Sequence, residues 1–458
     1  MIKMRDILLD IAKRFMDKLL EKGASEAEFF GTWAKIRTAE ISDGKIKRIS
    51  VSDAGKYGIR VAVGKRVASI GLSDLSPDID RLAETLVKIA RNAPEDNDFP
   101  GFATNYSRGV LSSTYDDNIA SLEPDGIAGL IKNMTSTAVD AGRSAGADET
   151  IPTQGGLQVI DGGKLVVNSF GEHLYEENTL LTAWLEIKSR KNGGESTFFL
   201  EYGSRKLDID DILRETEEAA RLSTEFIGGK PVESGKYEVL LYPHVTAKFL
   251  ETVLAPAFSA LHVQRDRSPL KGKIDKQVLS ENINILDDPS LDWGVGSCSF
   301  DDEGIPTSRK HVVNKGVLET YLYDHYTARR ENKYSTGNGF RRSVSSPPSP
   351  GFTNMYMEGR ETAKWDELVS EIKKGIIVYG VIGYWTSNFV NGGAQATVTH
   401  GLLVENGEIK APVKGIVIGG NIYDWLGKDL VGVGDKVVAL GDVYAPAVLI
   451  RNVDVAGK

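Results

Sequence analysis

The 458-residue chain holds a single cysteine, Cys298. One thiol excludes any intrachain disulfide and suits a reducing cytoplasm. No run of about 18 apolar residues occurs, so no membrane span is expected. The start, Met1-Ile2-Lys3-Met4-Arg5-Asp6, is not a secretory signal, because Asp6, Asp10, Lys13 and Arg14 interrupt any apolar core. Basic charge is scarce too: 55 Lys and Arg face 64 Asp and Glu, a net charge of −9. Sequence-independent DNA binding needs a basic face to displace counterions, so no nucleic-acid partner is expected.

Familiar catalytic signatures are absent as well. There is no Gly-x-x-x-x-Gly-Lys-Ser/Thr, and Gly392-Gly393 and Gly419-Gly420 lack the strand and helix context of a dinucleotide loop. Both pairs read as turns or close backbone approaches. The histidines are His173, His244, His262, His311, His325 and His400, and no two stand at the i, i+3 or i, i+4 spacing of a helical metal clip. A long-range metal site drawing on Asp301, Asp302, Glu303 and Asp324 is one reading of the acidic run, and a solvated turn at Asp301-Asp302-Glu303-Gly304 is the simpler one. Asp324 and His325, read as strand neighbours, point to opposite faces and cannot orient each other as a base and its partner do. No Gly-x-Ser-x-Gly elbow occurs.

What is present is an ordinary folding pattern, 41% apolar and long enough for two or three domains. Ile7, Leu8, Ile11, Ala12, Phe15, Met16 and Leu19 recur with a helical period and stop at Gly23. Alternating runs follow to about residue 73, with Asp43-Gly44 and Gly64-Lys65 as turns and Ile59–Val63 against Val67–Gly71 as a hairpin. Helices are expected at about 77–93, 123–141 and 209–226. Two or three long strands between 150 and 203 are divided at Asp161-Gly162-Gly163 and at Asn192-Gly193-Gly194. Gly228-Gly229-Lys230-Pro231 is the expected boundary, giving domains 1–228 and 232–458. The expected class is α+β: an N-terminal antiparallel sheet with helices, then a β-rich C-terminal domain carrying one long helix. A further helix is read at about 362–374, and Ser-Val-Ser-Ser-Pro-Pro-Ser-Pro (343–350) as a loop or linker.

The long helix follows the strand Tyr-Glu-Val-Leu-Leu-Tyr-Pro-His (237–244) and runs from Val245 to Leu261, with Pro256 expected to end or kink it. Glu251 sits in its middle, either facing a cleft or serving as a surface residue. Downstream stand Phe-Asp-Asp-Glu-Gly-Ile-Pro-Thr (300–307), Gly-Val-Leu-Glu-Thr-Tyr-Leu-Tyr-Asp (316–324) and Tyr-Thr-Ala-Arg (326–329). Ser-Thr-Gly-Asn (335–338), Gly-Leu-Leu-Val-Glu-Asn-Gly-Glu-Ile (401–409), Pro-Val-Lys-Gly-Ile-Val-Ile-Gly-Gly-Asn (412–421) and Ala-Pro-Ala-Val-Leu-Ile (445–450) follow. In order and spacing these runs resemble the TldD/PmbA family, once labelled modulators of DNA gyrase and associated with a two-subunit metallopeptidase. The likeness is weak over the first half and strong from about residue 237.

The resemblance implies two subunit types. The TldD type holds a catalytic metal with His-Glu-x-x-x-His and a cysteine near its C-terminus. The PmbA (TldE) type shares the fold without those ligands. Here Leu250 and Ala255 flank Glu251 where the histidines would stand, Val443-Tyr444-Ala445-Pro446 lies near the expected cysteine region, and Cys298 lies far upstream. The chain therefore resembles the PmbA type. The resemblance implies a metal-free, non-catalytic subunit that shapes a peptide-accepting cavity. Zinc is expected only in a TldD-type partner, peptides or unfolded proteins are the expected substrates, and a homodimer is expected when the chain is alone. On the substrate side Trp385–Thr397 mixes aromatics, amides and small residues, and Asn388, Gly392 and Gly393 are its candidates for reading an extended peptide. The alternatives are a stand-alone peptide-binding or regulatory homodimer without hydrolysis, and an independent hydrolase with an unrecognised site.

Overall fold

The computed structural model describes residues 4–74, 78–110 and 112–458. Met1-Ile2-Lys3 and the expected helix start at residue 77 lie outside them. The N-terminal part is a six-stranded antiparallel sheet built from β1 (Glu26–Ser42), β2 (Lys45–Val63), β3 (Arg66–Leu72), β4 (Glu149–Asn168), β5 (His173–Lys191) and β6 (Gly194–Ser204). Its order is β3-β2-β1-β4-β5-β6. The turns at Asp43-Gly44 and Asn192-Gly193 have both central residues at positive φ, as two-residue hairpin loops require. The expected break at Asp161-Gly162-Gly163 does not occur, because β4 runs straight through it. The glycines serve close packing there: a Cβ at Gly162 would lie 2.1 Å from the Trp33 carbonyl oxygen, and one at Gly163 would lie 2.7 Å from the Trp33 ring.

One face of this sheet is covered. Helices α1 (Met4–Glu21) and α2 (Ile79–Asn92) bury Phe15, Leu19, Leu86 and Val87 against Phe29, Ile59 and Val61. Past the short α3 (Asp117–Ala120), α4 (Pro124–Ser144) and α5 (Ile209–Glu225) bury Ile127, Ile131, Met134 and Ile212 against Leu157, Leu181 and Leu185. The opposite face carries half-buried and exposed side chains such as Thr32, Ile160, Trp184 and Phe199. It stays open along much of its length.

The chain then passes from α5 to β7 (Gly235–Leu241) and a short helical stretch, α6 (Pro243–Phe249) and α7 (Ala260–Gln264), followed by β8 (Ile283–Asp287), β9 (Lys310–Asn314), β10 (Val317–Leu318) and α8 (His325–Arg330). Next come β11 (Gly339–Phe340), β12 (Ser349–Pro350), β13 (Met355–Gly359), α9 (Trp365–Glu371), β14 (Lys374–Ile382), β15 (Gly393–Glu405) and β16 (Glu408–Val413). The chain ends with β17 (Ile416–Asn421), α10 (Ile422–Trp425), β18 (Leu430–Leu440) and β19 (Val443–Ala456). Strands β7, β14, β15, β17 and β19 pair in a closed ring, since β7 bonds to both β14 and β19. Closure removes the exposed edges of an open sheet. Alternation along β7 sends Val239 and Leu241 to one core and Leu240 to the other. The second core also takes Leu222 and Phe226 from the end of α5, so that helix packs on both sheets.

Three readings are corrected here. The acidic turn is not solvated: Asp301, Asp302 and Glu303 are buried. Asp301 accepts backbone N–H bonds from Glu303 (3.0 Å), Ile305 (3.0 Å) and Gly339 (2.9 Å), which is how a buried carboxyl is satisfied. Asp324 and His325 do not lie on a strand either. Asp324 caps α8 and accepts the Thr327 N–H at 2.8 Å, so its side chain is turned to the helix end and not to an imidazole. The acidic run belongs to the seam between the sheets. There Glu28 meets Arg60 at 3.2 Å and Arg341 at closer range, Lys164 holds Asp302 at 3.3 Å, and Glu176 accepts the Ser299 N–H at 2.8 Å. The 343–350 stretch is no free linker, since Ser349–Pro350 pairs with Gly339–Phe340 and Val344 packs on Gly58.

Candidate functional site

The expected long helix is broken, and the break makes the site. Pro243 opens α6 at a position where its missing N–H costs nothing. After Phe249 the chain loosens into a π-turn at Leu250–Leu254, in which the Ala255 N–H bonds to the Leu250 carbonyl five residues back. A 3₁₀ turn at Ala255–Phe258 follows, and Ser259 is extended before α7 starts. Pro256 supplies no N–H and its ring crowds the carbonyl four residues earlier, so an α-helix cannot continue through it. The π-turn matters for geometry. In an α-helix residues five apart point about 140° apart, whereas the wider i→i+5 turn brings them toward one side. Leu250 and Ala255 therefore share a side. Both end in hydrocarbon, Leu250 is fully buried, and neither offers the nitrogen, sulfur or oxygen that zinc requires. Among the described residues no cluster of three or more His, Cys, Asp or Glu has metal-binding geometry.

Glu251, next in the turn, is exposed. Its charge reaches Asp442 and Tyr384. Surrounding protein pushes the Asp442 carboxyl up to about 6, chiefly by desolvation, and Glu251 adds like-charge repulsion. One turn earlier, Lys248 bonds Glu201 of β6 at 3.1 Å and sits 5.7 Å over the Tyr384 ring. This joins the helical segment to the open face of the N-terminal sheet, where Trp184 stands opposite Glu201. His244 is held neutral, at about 4, by burial and by Lys248.

The loop 383–393 lies over the same segment. Tyr384 meets Lys248 at one end, and Phe389 meets His262 of α7 at 4.8 Å at the other. The structure thus brings together Glu251 and the Trp385–Thr397 stretch that sequence reasoning treated separately. Asn388, Gly392 and Gly393 shape that loop. Asn388 exchanges two backbone bonds with Gly393, at 2.8 and 3.0 Å, and its side chain accepts the Val390 N–H. Gly392 has φ +75°, and a Cβ there would lie 2.6 Å from the Tyr423 ring. Trp385 is 61% exposed, with Ile382 and Val390 also open to solvent. His244 and His262 do not bracket one straight rod.

Asp442 escaped the sequence reading, and so did Arg265, Arg267 and Arg342, whose charges act on His262. They approach the helical segment from distant parts of the chain, and no local spacing announces them. Among the described residues no helix is long and apolar enough to cross a membrane.

Residues 234–457 match the PmbA/TldA metallopeptidase C-terminal domain, and residues 27–90 match PmbA/TldA metallopeptidase domain 1. An uncharacterised protein of Methanocaldococcus jannaschii is 30% identical over 95% of this chain and 99% of its own. Metalloprotease PmbA of Escherichia coli O157:H7 is 25% identical over 91% of this chain and 88% of its own. TldE from Thermococcus kodakarensis, at 23% identity, shares the fold with a TM-score of 0.86 over 98% of this chain and all of that one. With both its N-terminal and its C-terminal parts matched, this chain belongs to the PmbA/TldD metallopeptidase family.

Proposed function

We propose that the chain is a metal-free, non-catalytic subunit of the PmbA/TldE type. In this reading it shapes and closes a peptide-accepting cavity, while a TldD-type partner supplies metal, base and water for proteolysis in the cytoplasm. The observation that carries it is the π-turn, which brings positions five apart toward one side and fills them with Leu250 and Ala255, both packed on the same apolar cluster. The meeting of the open sheet face, the helical segment and the loop at 383–393 supports a peptide ligand. It joins polar side chains, aromatic rings and exposed backbone, the surface an extended chain uses. The exposed Ile382, Trp385 and Val390 support a shared interface, with the partner or with a second copy.

The test is co-purification with a TldD-type subunit, followed by peptide cleavage with each chain alone and with both, plus metal analysis of each. Cleavage only by the pair, with zinc confined to the partner, is expected. One equivalent of zinc retained by this chain alone would overturn the reading, and so would cleavage by this chain alone. A homodimer that binds peptide and never joins a partner would turn it into a stand-alone binding protein.

A further inference from the structure

The helical segment and the loop over it have two electrically different ends. At one stand Glu251 and Asp442, with Glu201 tied to Lys248. At the other, the His262 imidazole, beside the Phe389 ring, is held below its ordinary range by burial and then by the charges of Arg267, Arg342 and Arg265. All three arginines are exposed. Among the described residues none of them has a carboxylate partner. Arg267 lies 5.6 Å over the Phe389 ring, and the nearest acid in sequence, Asp266, is paired with Lys271.

Arg342 also lines a cavity of about 520 Å³ between the open sheet face and the 341–344 segment. Its other charged lining residues are Lys56, Lys164, Arg341 and Asp302. Lys164 is bound to Asp302, and Arg341 to Glu28. Among the described residues Lys56 and Arg342 are left without carboxylate partners, beside the polar side chains of Thr32, Asn178 and Ser343. In a chain of net charge −9, unpaired cations gathered on one ligand-sized hollow mark where a ligand's negative charge goes.

We infer that the surface formed by Lys56, Arg265, Arg267 and Arg342 binds the side-chain carboxylates of an acidic peptide. This deepens the peptide-cavity reading and rests on it. The guanidinium fork pairs with carboxylates bidentately. The opposite, acidic end then fixes the direction in which the peptide lies.

The experiment is fluorescence anisotropy with labelled peptides of about eight residues, the length scale of a bound extended strand. One carries glutamates, one has glutamine at each of those positions, and one has the glutamates with an amidated C-terminus. We expect the acidic peptide to bind about tenfold more tightly than its glutamine counterpart, with the gap closing as salt rises. The amidated peptide separates the two carboxylate sources: no loss on amidation is expected, and a loss would assign the site to the C-terminus and overturn the inference. The variant Arg265→Gln/Arg267→Gln/Arg342→Gln should abolish the preference and leave the glutamine peptide's affinity unchanged, and Lys56→Gln should reduce it. These exposed positions should not alter thermal unfolding, which is measured alongside. Equal binding of acidic and neutral peptides would overturn the inference and leave the cavity reading standing. Binding of no peptide at all would overturn both. Displacement of the acidic peptide by single-stranded DNA at equal charge would show a site that reads charge alone, and would overturn the peptide assignment.

Discussion

Arg341 and Arg342 are neighbours in the chain and opposites in the structure. The Arg341 side chain is 1% exposed and clamps Glu28, a carboxylate as deeply buried, while Arg342 stands in solvent at the mouth of the cleft. The same contrast runs through the seam and the cleft as a whole. In the seam Glu28, Arg60, Lys164 and Asp302 each have a partner in the chain, and deeper in the C-terminal part Asp287 accepts from Lys310 and from Asn338. A charge removed from water is tolerated only when another group replaces that water. In the cleft Glu251 and the arginines around His262 keep their water, so their charge remains available to a ligand. Ion pairing within the chain marks the charges of the scaffold, and exposure to water marks those of the binding surface.

The sharpest way to break this comparison is to truncate both arginines. Arg341→Ala leaves Glu28 buried beside Arg60 alone and should cost about 3–5 kcal/mol of stability in urea unfolding, as expected when one partner of a buried pair is removed. Arg342→Ala should stay within about 0.5 kcal/mol. Equal losses would erase the distinction between seam and cleft.

A smaller effect is expected where the vestigial motif is restored. Leu250→His places a polar ring in a fully buried apolar site and should cost about 2 kcal/mol. With Ala255→His added, the π-turn brings two imidazoles toward one side, yet zinc needs a third ligand and groups to orient the rings. The double variant should gain weak zinc binding by calorimetry and no useful peptidase activity. Efficient cleavage without a partner would remove the subunit reading.

Smaller again is a pH effect in the seam. Burial, then the charges of Asp324 and Asp301, raise the Glu303 carboxyl well above its ordinary range, and burial pushes Asp301 up to about 7. A carboxyl raised in the folded state holds its proton there after the unfolded chain has lost it. Its contribution to stability is full below about 4 and lost as pH rises through the folded value, for Asp301 about 7. Glu303→Gln mimics the protonated form. It should raise the thermal midpoint at pH 8, and that gain should vanish near pH 4. A gain independent of pH would point to packing instead of charge.

The sheet, its hairpins and the helices that cover one face were legible because their signals are local. Asp43-Gly44 and Asn192-Gly193 fix turns, and the apolar period of α1 fixes a face. Failures came where distant contacts decide. Asp301-Asp302-Glu303 has the composition of a surface turn, and only Gly339, Lys164 and His325, brought from elsewhere, make burial affordable. Gly162-Gly163 read as a turn because the Trp33 contact that demands small residues lies on another strand. At the site, Leu250, Glu251 and Ala255 were visible through the family pattern. The π-turn that gives their spacing meaning was hinted at only by Pro256. Asp442 and the arginine group had no local signature.

The smallest effect expected is at Glu251 itself. Its charge adds to the repulsion on Asp442, but burial is the larger cause of that carboxyl's position at about 6. Glu251→Gln should therefore move the Asp442 titration, followed by carboxyl carbon NMR, downward without returning it to the ordinary aspartate range. The sign follows from charge alone, since removing a neighbouring negative charge makes ionisation easier. Stability should change by less than about 0.5 kcal/mol, because an exposed side chain without an ion-pair partner leaves nothing unpaired behind. Asp442 itself contributes most to stability below about 4 and least above its folded value near 6, so the variant's residual effect, relief of repulsion between two ionised carboxylates, should be absent below about 4 and full above that folded value. No movement of Asp442 would separate the two carboxylates and remove the acidic end of the cleft. A large loss of stability would move Glu251 from the binding surface to the scaffold.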